Sequence, residues 1–174
     1  MFLPNLELNN EQISDGVNLL ISILVRYPEI GTIKFDPQKK CLNFKFMLST
    51  IPPEFEFSTI KNLLTSSISA YNMLEGFPLK ISEIQLDTYS EVAMLTIIRD
   101  VYTLSKSELT LMITLLRENF KKYLIIDGSD SPFEEDLLMQ EEVIEDMLAN
   151  IKAHHHLHAL IGIRENGRVL VFNK

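Results

Sequence analysis

Cysteine and glycine are scarce in this sequence, and their scarcity excludes several classes of protein. Cys41 is the only cysteine among 174 residues, which rules out an intramolecular disulfide framework and a cysteine-rich zinc module. The six glycines are scattered, whereas a phosphate-binding loop needs clustered glycines because its backbone must approach the ligand closely. We therefore expect neither a conventional nucleotide site nor a disulfide-stabilised fold.

Positive charge and long apolar runs are also scarce. Lys and Arg number 16 against 24 Asp and Glu, and the resulting net charge of −8 disfavours non-specific binding to nucleic acid or to an anionic membrane. The most apolar stretch, residues 17–25, is about half as long as a spanning helix. It follows acidic residues instead of the basic region of a signal peptide. With the single thiol and no N-x-[ST] sequon, these features favour a cytoplasmic protein that binds neither nucleic acid nor membrane.

The composition that remains is that of an ordinary soluble globular protein, with 46% hydrophobic and 23% charged residues. A chain of 174 residues can bury roughly 70% of its unfolded surface without covalent staples. We therefore expect a single domain over residues 1–174 with a hydrophobic core of its own.

Apolar residues at helical spacing predict four helices. The first two cover about residues 11–26 and 58–75, and the third and fourth begin at Ser105 and Ser131. Ser105 and Glu108 have the spacing of a capping box, and Gly76 is placed to end the second helix. The predicted buried stripe of the second helix comprises Ile60, Leu63, Leu64, Ser67, Tyr71 and Leu74.

Alternating apolar and polar residues predict three β-hairpins, over residues 31–48, 79–102 and 157–172. Asn166-Gly167 suits a type I′ turn in the last hairpin. That turn places Ile161, Ile163, Leu170 and Phe172 on one face, and Leu160, Val169 and Val171 on the other. The order α-ββ-α-ββ-α-α-ββ predicts an α+β fold, with a mostly antiparallel sheet built from hairpins and helices packed on one side.

Residues 31–75 and 79–124 have the pattern of a duplicated ββα unit. Phe35-Asp36 corresponds to Leu86-Asp87, and the helical positions Ile60, Leu64 and Tyr71 correspond to Leu109, Ile113 and Phe120. In the second strands, Phe44 corresponds to Leu95 and Phe46 to Ile97. The pattern predicts an internal duplication, although any two amphipathic ββα units share part of it.

The leading helix, the hairpins and the stretch GFPLKISEIQLDTYSEVAMLTIIRDVYTLSKSELTLMITLLRENFKKY (residues 76–123) together resemble the type III secretion chaperone-like class, which includes the YbjN-like proteins. The resemblance is one of pattern and covers residues 11–125. It implies an α+β fold, frequent dimerisation, and partner binding or regulation instead of catalysis. The fourth helix and the last hairpin are additions to that pattern.

All four histidines lie in one short segment, Ala153-His154-His155-His156-Leu157-His158. In a helix, His154 and His158 share a face one turn apart; in an extended segment, His154, His156 and His158 share a face. Either arrangement can bind a divalent metal such as zinc or nickel through neutral imidazole. The alternatives are a cover for a helix-to-strand junction and a pH-sensitive junction.

Two further features have both a functional and a structural interpretation. The acidic run over residues 134–146 is either a docking face for a basic partner, a source of metal ligands, or a solvated face whose first-turn acids complement the helix dipole. Cys41 is a possible nucleophile, but its place at the start of an apolar strand favours a buried, inert thiol.

The absence of catalytic motifs favours a non-enzymatic role, and no catalytic or cofactor-binding residue is assigned. We expect a protein-interaction or regulatory module that is homodimeric, because the last hairpin is apolar on both faces and one face is free to bury against a partner chain. The alternative is a metal-binding protein or metal-dependent enzyme that uses His154, His156 and His158.

Overall fold

The computed structural model describes residues 4–126, 134–153 and 158–173, which form four helices and one six-stranded sheet. The element order matches the predicted α-ββ-α-ββ-α-α-ββ, so the α+β fold class is confirmed. The elements are α1 (Pro4–Arg26), β1 (Thr32–Asp36), β2 (Cys41–Leu48), α2 (Glu54–Glu75), β3 (Ser82–Tyr89), β4 (Val92–Asp100), α3 (Lys106–Asn119), α4 (Glu134–Ala153), β5 (Leu160–Glu165) and β6 (Arg168–Asn173). Within the described ranges, no helix has the length and apolarity needed to cross a membrane.

The six strands form one antiparallel sheet in the order β3-β4-β2-β1-β5-β6. β2 and β4 pair in the middle, with Phe44 opposite Ile97 and Phe46 opposite Leu95. β1 lies outside β2 and β3 lies outside β4, so the two ββα segments stand side by side. The β5–β6 hairpin then extends the sheet beyond β1. The internal duplication over residues 31–75 and 79–124 stays a prediction.

One face of the sheet is covered by all four helices, and a single core cluster joins them to it. α1 and α4 pack against each other, with α1 over β5 and β6, while α2 and α3 pack against each other toward β3. The strand residues of this face alternate with residues that point away, as a half-covered sheet requires. They include Ile33, Phe35, Leu42, Phe44, Phe46, Ile84, Leu95, Ile97 and Leu160.

The last hairpin has the predicted faces. Asn166 and Gly167 both adopt positive φ, as a type I′ turn requires. Ile161 pairs with Phe172 and Ile163 with Leu170 on the face opposite the helices. The middle of this open face carries Lys34 and Lys45, and burial, followed by the nearby Lys45 charge, lowers the pKa of Lys34.

α2 differs from the sequence-based expectation in its start and in its buried face. It begins at Glu54, directly after Pro53, instead of near Ser58, and it ends as predicted at Gly76, whose φ of 79° lies in the left-handed region. The predicted stripe was wrong at Leu63 and Leu74, which are exposed. The buried row is Ile60, Leu64, Ile68 and Asn72.

α1 approaches β5 closely because Gly162 has no side chain. A Cβ at this position would lie 2.9 Å from Cδ1 of Leu24 and 3.1 Å from Cγ2 of Ile33. Arg164 also belongs to β5, and its Nη2 donates to the backbone carbonyls of Leu24, Tyr27 and Ile30. The terminal hairpin therefore packs under α1 and also satisfies carbonyl groups at its C-terminal end.

Candidate interaction surface

The structure describes only one of the three predicted metal ligands, His158. His154 and His156 lie outside the described residues, and His158 is exposed just before β5. In the three described ranges, no group of three or more His, Cys, Asp or Glu side chains could hold a metal ion. The divalent-metal site at His154, His156 and His158 stays a prediction.

Cys41 is buried at the start of β2, and its Sγ donates to the Lys39 carbonyl at 3.4 Å. Burial raises the pKa of the thiol, and the negative charges of Asp100 and Asp36 raise it further. A protonated, buried thiol is a poor nucleophile, in agreement with the inert thiol favoured by the sequence.

The acidic run of α4 is divided between an ion pair and solvent. Glu141 accepts from Arg26 Nε at 3.1 Å and from Nη2 at 3.0 Å, and Lys106 Nζ lies 4.0 Å from the same carboxylate. Glu142, Glu145 and Asp146 are exposed, and the side chains of residues 134–136 lie outside the described part of the chain. The carboxylate that is paired links α4 to α1 and α3, which is a structural role.

A buried polar network surrounds Arg99 near the end of β4. Its Nε and Nη2 donate to the two carboxylate oxygens of Glu108 at 2.6 and 2.7 Å. Its Nη1 donates to the Ile81 carbonyl and to Asp100 Oδ1, both at 2.7 Å. Asn72 Nδ2 donates to the same Glu108 at 2.6 Å. The network joins α2, β4 and α3 and is closed to solvent, so its groups hold the fold together.

Asp100 completes this network. It accepts from the Ile81 N–H at 3.0 Å, the Thr103 N–H at 2.8 Å and the Thr103 hydroxyl at 2.7 Å. Burial alone would raise the pKa of Asp100, but these hydrogen bonds and the Arg99 charge outweigh it, and the pKa lies below its usual value. The donors from Ile81 and Thr103 and the charge of Arg99 thus keep the Asp100 carboxylate ionised.

A cleft of about 280 Å³ between the start of α3 and the end of α4 carries charges of both signs. Lys106 and Lys152 line it together with Glu145. Burial lowers the pKa of Lys152, and the charge of Asp100 opposes that shift. Because the cations face a carboxylate in the same cleft, the cleft has no clear preference for an anion or a cation.

The outer face of α2 exposes a group of large apolar side chains, which we call the α2 surface. Phe55, Met73 and Leu74 are 82%, 78% and 87% exposed, and Phe77 and Leu63 are 55% and 38% exposed. The row that runs along this face, at steps of three or four residues, lies opposite the buried row of α2. Its members are Phe55, Thr59, Asn62, Ser66, Ala70 and Met73; Phe77 continues it past the Gly76 turn, and Leu63 and Leu74 flank it on one side.

The C-terminal end of the α2 surface borders an open, largely apolar cleft of about 370 Å³. Met73 lies on one side of it, and Phe77, Pro78 and Leu79 line it where the chain leaves the helix. The left-handed backbone of Gly76 turns the chain there, and the Phe77 N–H donates to the Asn72 carbonyl at 2.9 Å. The turn fixes this edge of the cleft relative to the helix.

Sequence reasoning missed both the Arg99 network and the α2 surface. The signal for the network was a charged pair, Arg99-Asp100, at the end of an otherwise apolar strand. The signal for the α2 surface was a helix with apolar residues on two faces. Only one of these faces can pack against the core, so the other is exposed.

No protein-family model, curated protein or solved structure matches this chain.

Proposed function

We propose that this chain is a non-catalytic protein-interaction module that works as a homodimer in the cytoplasm. The α2 surface supports the proposal, because it exposes five large apolar side chains, with Phe55 at the start of the helix, Leu63 near its middle and the other three at its C-terminal end. The single buried thiol is compatible with a reducing compartment.

The area of the α2 surface is that of an interface. At roughly 200 Å² for each large apolar side chain, the exposed fractions correspond to about 700 Å² of apolar surface. A stable dimer buries about 800 Å² from each partner. The small polar residues between the apolar ones supply the rest of the area that each partner would bury.

The charge distribution also favours self-association at this place. The chain carries a net charge of −8, so two copies repel each other over most approaches. The outward row from Phe55 to Phe77 contains no ionisable side chain. Glu56, which flanks it, accepts from the Tyr123 hydroxyl at 2.8 Å and has Lys122 Nζ at 3.8 Å. Two copies can therefore meet along this row without burying a charge of the row itself.

The sequence predicted a dimer that forms through one face of the last hairpin. The structure favours the α2 surface as the dimer interface instead. On the hairpin face Phe172 is 49% exposed, while Ile161, Ile163 and Leu170 are each only partly exposed. The neighbouring strand β1 also places Lys34 beside it. The hairpin face thus offers less apolar area for a second copy.

The test is the solution mass of the untagged chain by light scattering over a range of concentrations. We expect twice the chain mass of 20.0 kDa for the wild type. The Leu74→Glu variant should run as a monomer, because dimer formation would bury its new charge without a partner. Phe172→Glu is the matched control on the hairpin face and should remain dimeric.

Circular dichroism of both variants should match the wild type, because both changes are at exposed positions. A monomeric wild type at high micromolar concentration contradicts the proposal. A dimer that persists in Leu74→Glu and dissociates in Phe172→Glu would move the interface to the hairpin.

A further inference from the structure

We propose that two copies of this chain pair through antiparallel α2 helices, with Phe55 of each copy seated in the cleft at the C-terminal end of the other copy's α2. The inference rests on the proposed homodimer and names its contact. The two ends of α2 carry complementary shapes, and only an antiparallel arrangement brings each into contact with the other.

The N-terminal end supplies the projecting side chain. Phe55 lies in the first turn of α2 and is 82% exposed, which is costly for an aromatic ring of this area. The C-terminal end supplies the recess, the cleft of about 370 Å³ beside Met73 and Phe77. A phenyl ring is of a size that such a recess accepts, and its lining is largely apolar.

The positions of ring and recess define the register of the pair. Phe55 precedes Ser66 by 11 residues, about 16 Å along the helix at 1.5 Å per residue, and Glu75, the last residue of α2, follows it by 9 residues, about 14 Å. The Gly76 turn and Phe77 come directly after Glu75. A two-fold axis at Ser66 therefore places Phe55 of one copy beside the C-terminal end of the other copy's α2, where the cleft lies. A parallel pair would stack Phe55 on Phe55 and leave both clefts empty.

The side chains between these ends fit the same register. With the axis at Ser66, Thr59 faces Met73 of the second copy and Asn62 faces Ala70. Each large residue meets a smaller one, which lets the helices approach to the roughly 8–10 Å that is usual for packed helices. The isologous arrangement repeats every contact twice, as two-fold symmetry demands.

Disulfide trapping tests this register directly. At an axis distance of about 8–10 Å, the two copies of position 66 face each other with Cα atoms close to the roughly 4.4–6.8 Å that a disulfide spans. We expect Ser66→Cys to form a covalent dimer under mild oxidation. Thr59→Cys alone should not, because its two copies lie about 21 Å apart along the pair at 1.5 Å per residue.

A mixture of Thr59→Cys and Met73→Cys chains is the second measurement, read on a non-reducing gel with one chain carrying a size tag. The mixture should give the tagged–untagged species. The wild type controls for the native thiol, which is only 1% exposed. All these positions are on the outer face of α2, so the variants should fold like the wild type.

Phe55→Ala tests the seated ring. We expect the dimer dissociation constant to rise at least tenfold, while Tyr89→Ala, an equally simple truncation of an exposed aromatic on β3, leaves it unchanged. A monomeric wild type overturns both this pairing and the proposed function. A wild-type dimer with no trapping at position 66 and none between 59 and 73 overturns the pairing alone. An unchanged dissociation constant in Phe55→Ala overturns the seated ring.

Discussion

Arg99 shows how the buried network constrains the fold at the level of single residues. A guanidinium with no exposed side-chain surface is tolerated here because Glu108, Asp100 and the Ile81 carbonyl accept its hydrogen bonds. The network stabilises the fold only when all its members are present, since removing one partner leaves an uncompensated charge in the core. Arg26 and Glu141 form a pair of the same type near the surface, with about a fifth of each side chain exposed.

We expect Arg99→Met to lower the free energy of unfolding by about 3–5 kcal/mol, because Glu108 loses its counter-charge in a buried site. Arg26→Met, which breaks the partly exposed pair between α1 and α4, should cost about 1 kcal/mol. Urea unfolding at one fixed chain concentration measures both, since the proposed dimer would make stability depend on concentration. An equal loss of unfolding free energy in Arg99→Met and Arg26→Met would contradict the argument that burial makes the Arg99 ion pair the more costly one to break.

Asp100 makes stability depend on pH in the acid range. Its pKa is lower in the folded chain than the value of about 3.9 in an unfolded chain, so the unfolded state binds more protons between the two values. Stability from this group is present above about pH 4 and is lost as the pH falls through the folded pKa. In Asp100→Asn, the free energy of unfolding should fall less steeply with decreasing pH in this window.

Thr103→Val provides the intermediate case for that pH series, because it removes one donor to Asp100 and keeps the carboxylate. Its pH slope should lie between those of the wild type and Asp100→Asn. A slope in Asp100→Asn as steep as that of the wild type would assign the acid sensitivity to other carboxyl groups.

Some residue roles could be predicted from the sequence and others could not. Ser105 caps α3 as predicted and accepts from the Glu108 N–H at 3.2 Å, because capping depends on neighbours within one turn. The carboxylate of Glu108 is directed to Arg99 and Asn72, contacts that join three elements and leave no local pattern. Leu63 and Leu74 fit a helical stripe, and only the direction in which α2 packs shows that they face outward.

The elements themselves were mostly predictable, because hairpins and helix ends depend on short-range signals. The Asn166-Gly167 turn and the end of α2 at Gly76 are confirmed by their positive φ values. The predicted start of the last helix at Ser131 lies outside the described residues. How closely two elements approach was not predictable, and Gly162 under α1 is the clearest case.

We expect Gly162→Ala to lower the free energy of unfolding by about 1–3 kcal/mol, because the added methyl forces Leu24 and Ile33 apart in a packed interior. Gly31→Ala is the control, since its Cβ would lie 3.6 Å from Met47 Cγ, an ordinary contact. Thermal unfolding should show a lower midpoint for Gly162→Ala alone. A Gly162→Ala chain as stable as the control would show that α1 can shift away from β5 without cost.

At the scale of the whole molecule, the order of elements followed from periodicity, and the strand order did not. Pairing within each hairpin is set by a nearby turn. The pairing of β2 with β4, and of β1 with β5, depends on which helices share the covered face. The same limit applied to the candidate site, because an exposed apolar face is a property of the assembled helical layer.

The contact between α1 and the terminal hairpin has a consequence for synthesis on the ribosome. Arg164 binds the carbonyl of Tyr27, 137 residues earlier in the chain, and β5 and β6 lie under α1. The segments from β1 to α3 can collapse as they emerge, since their partners are close in sequence. The part of α1 that packs on β5 and β6 stays uncovered until residues 160–173 have left the exit tunnel. During that interval the nascent chain is most open to chaperones and to aggregation.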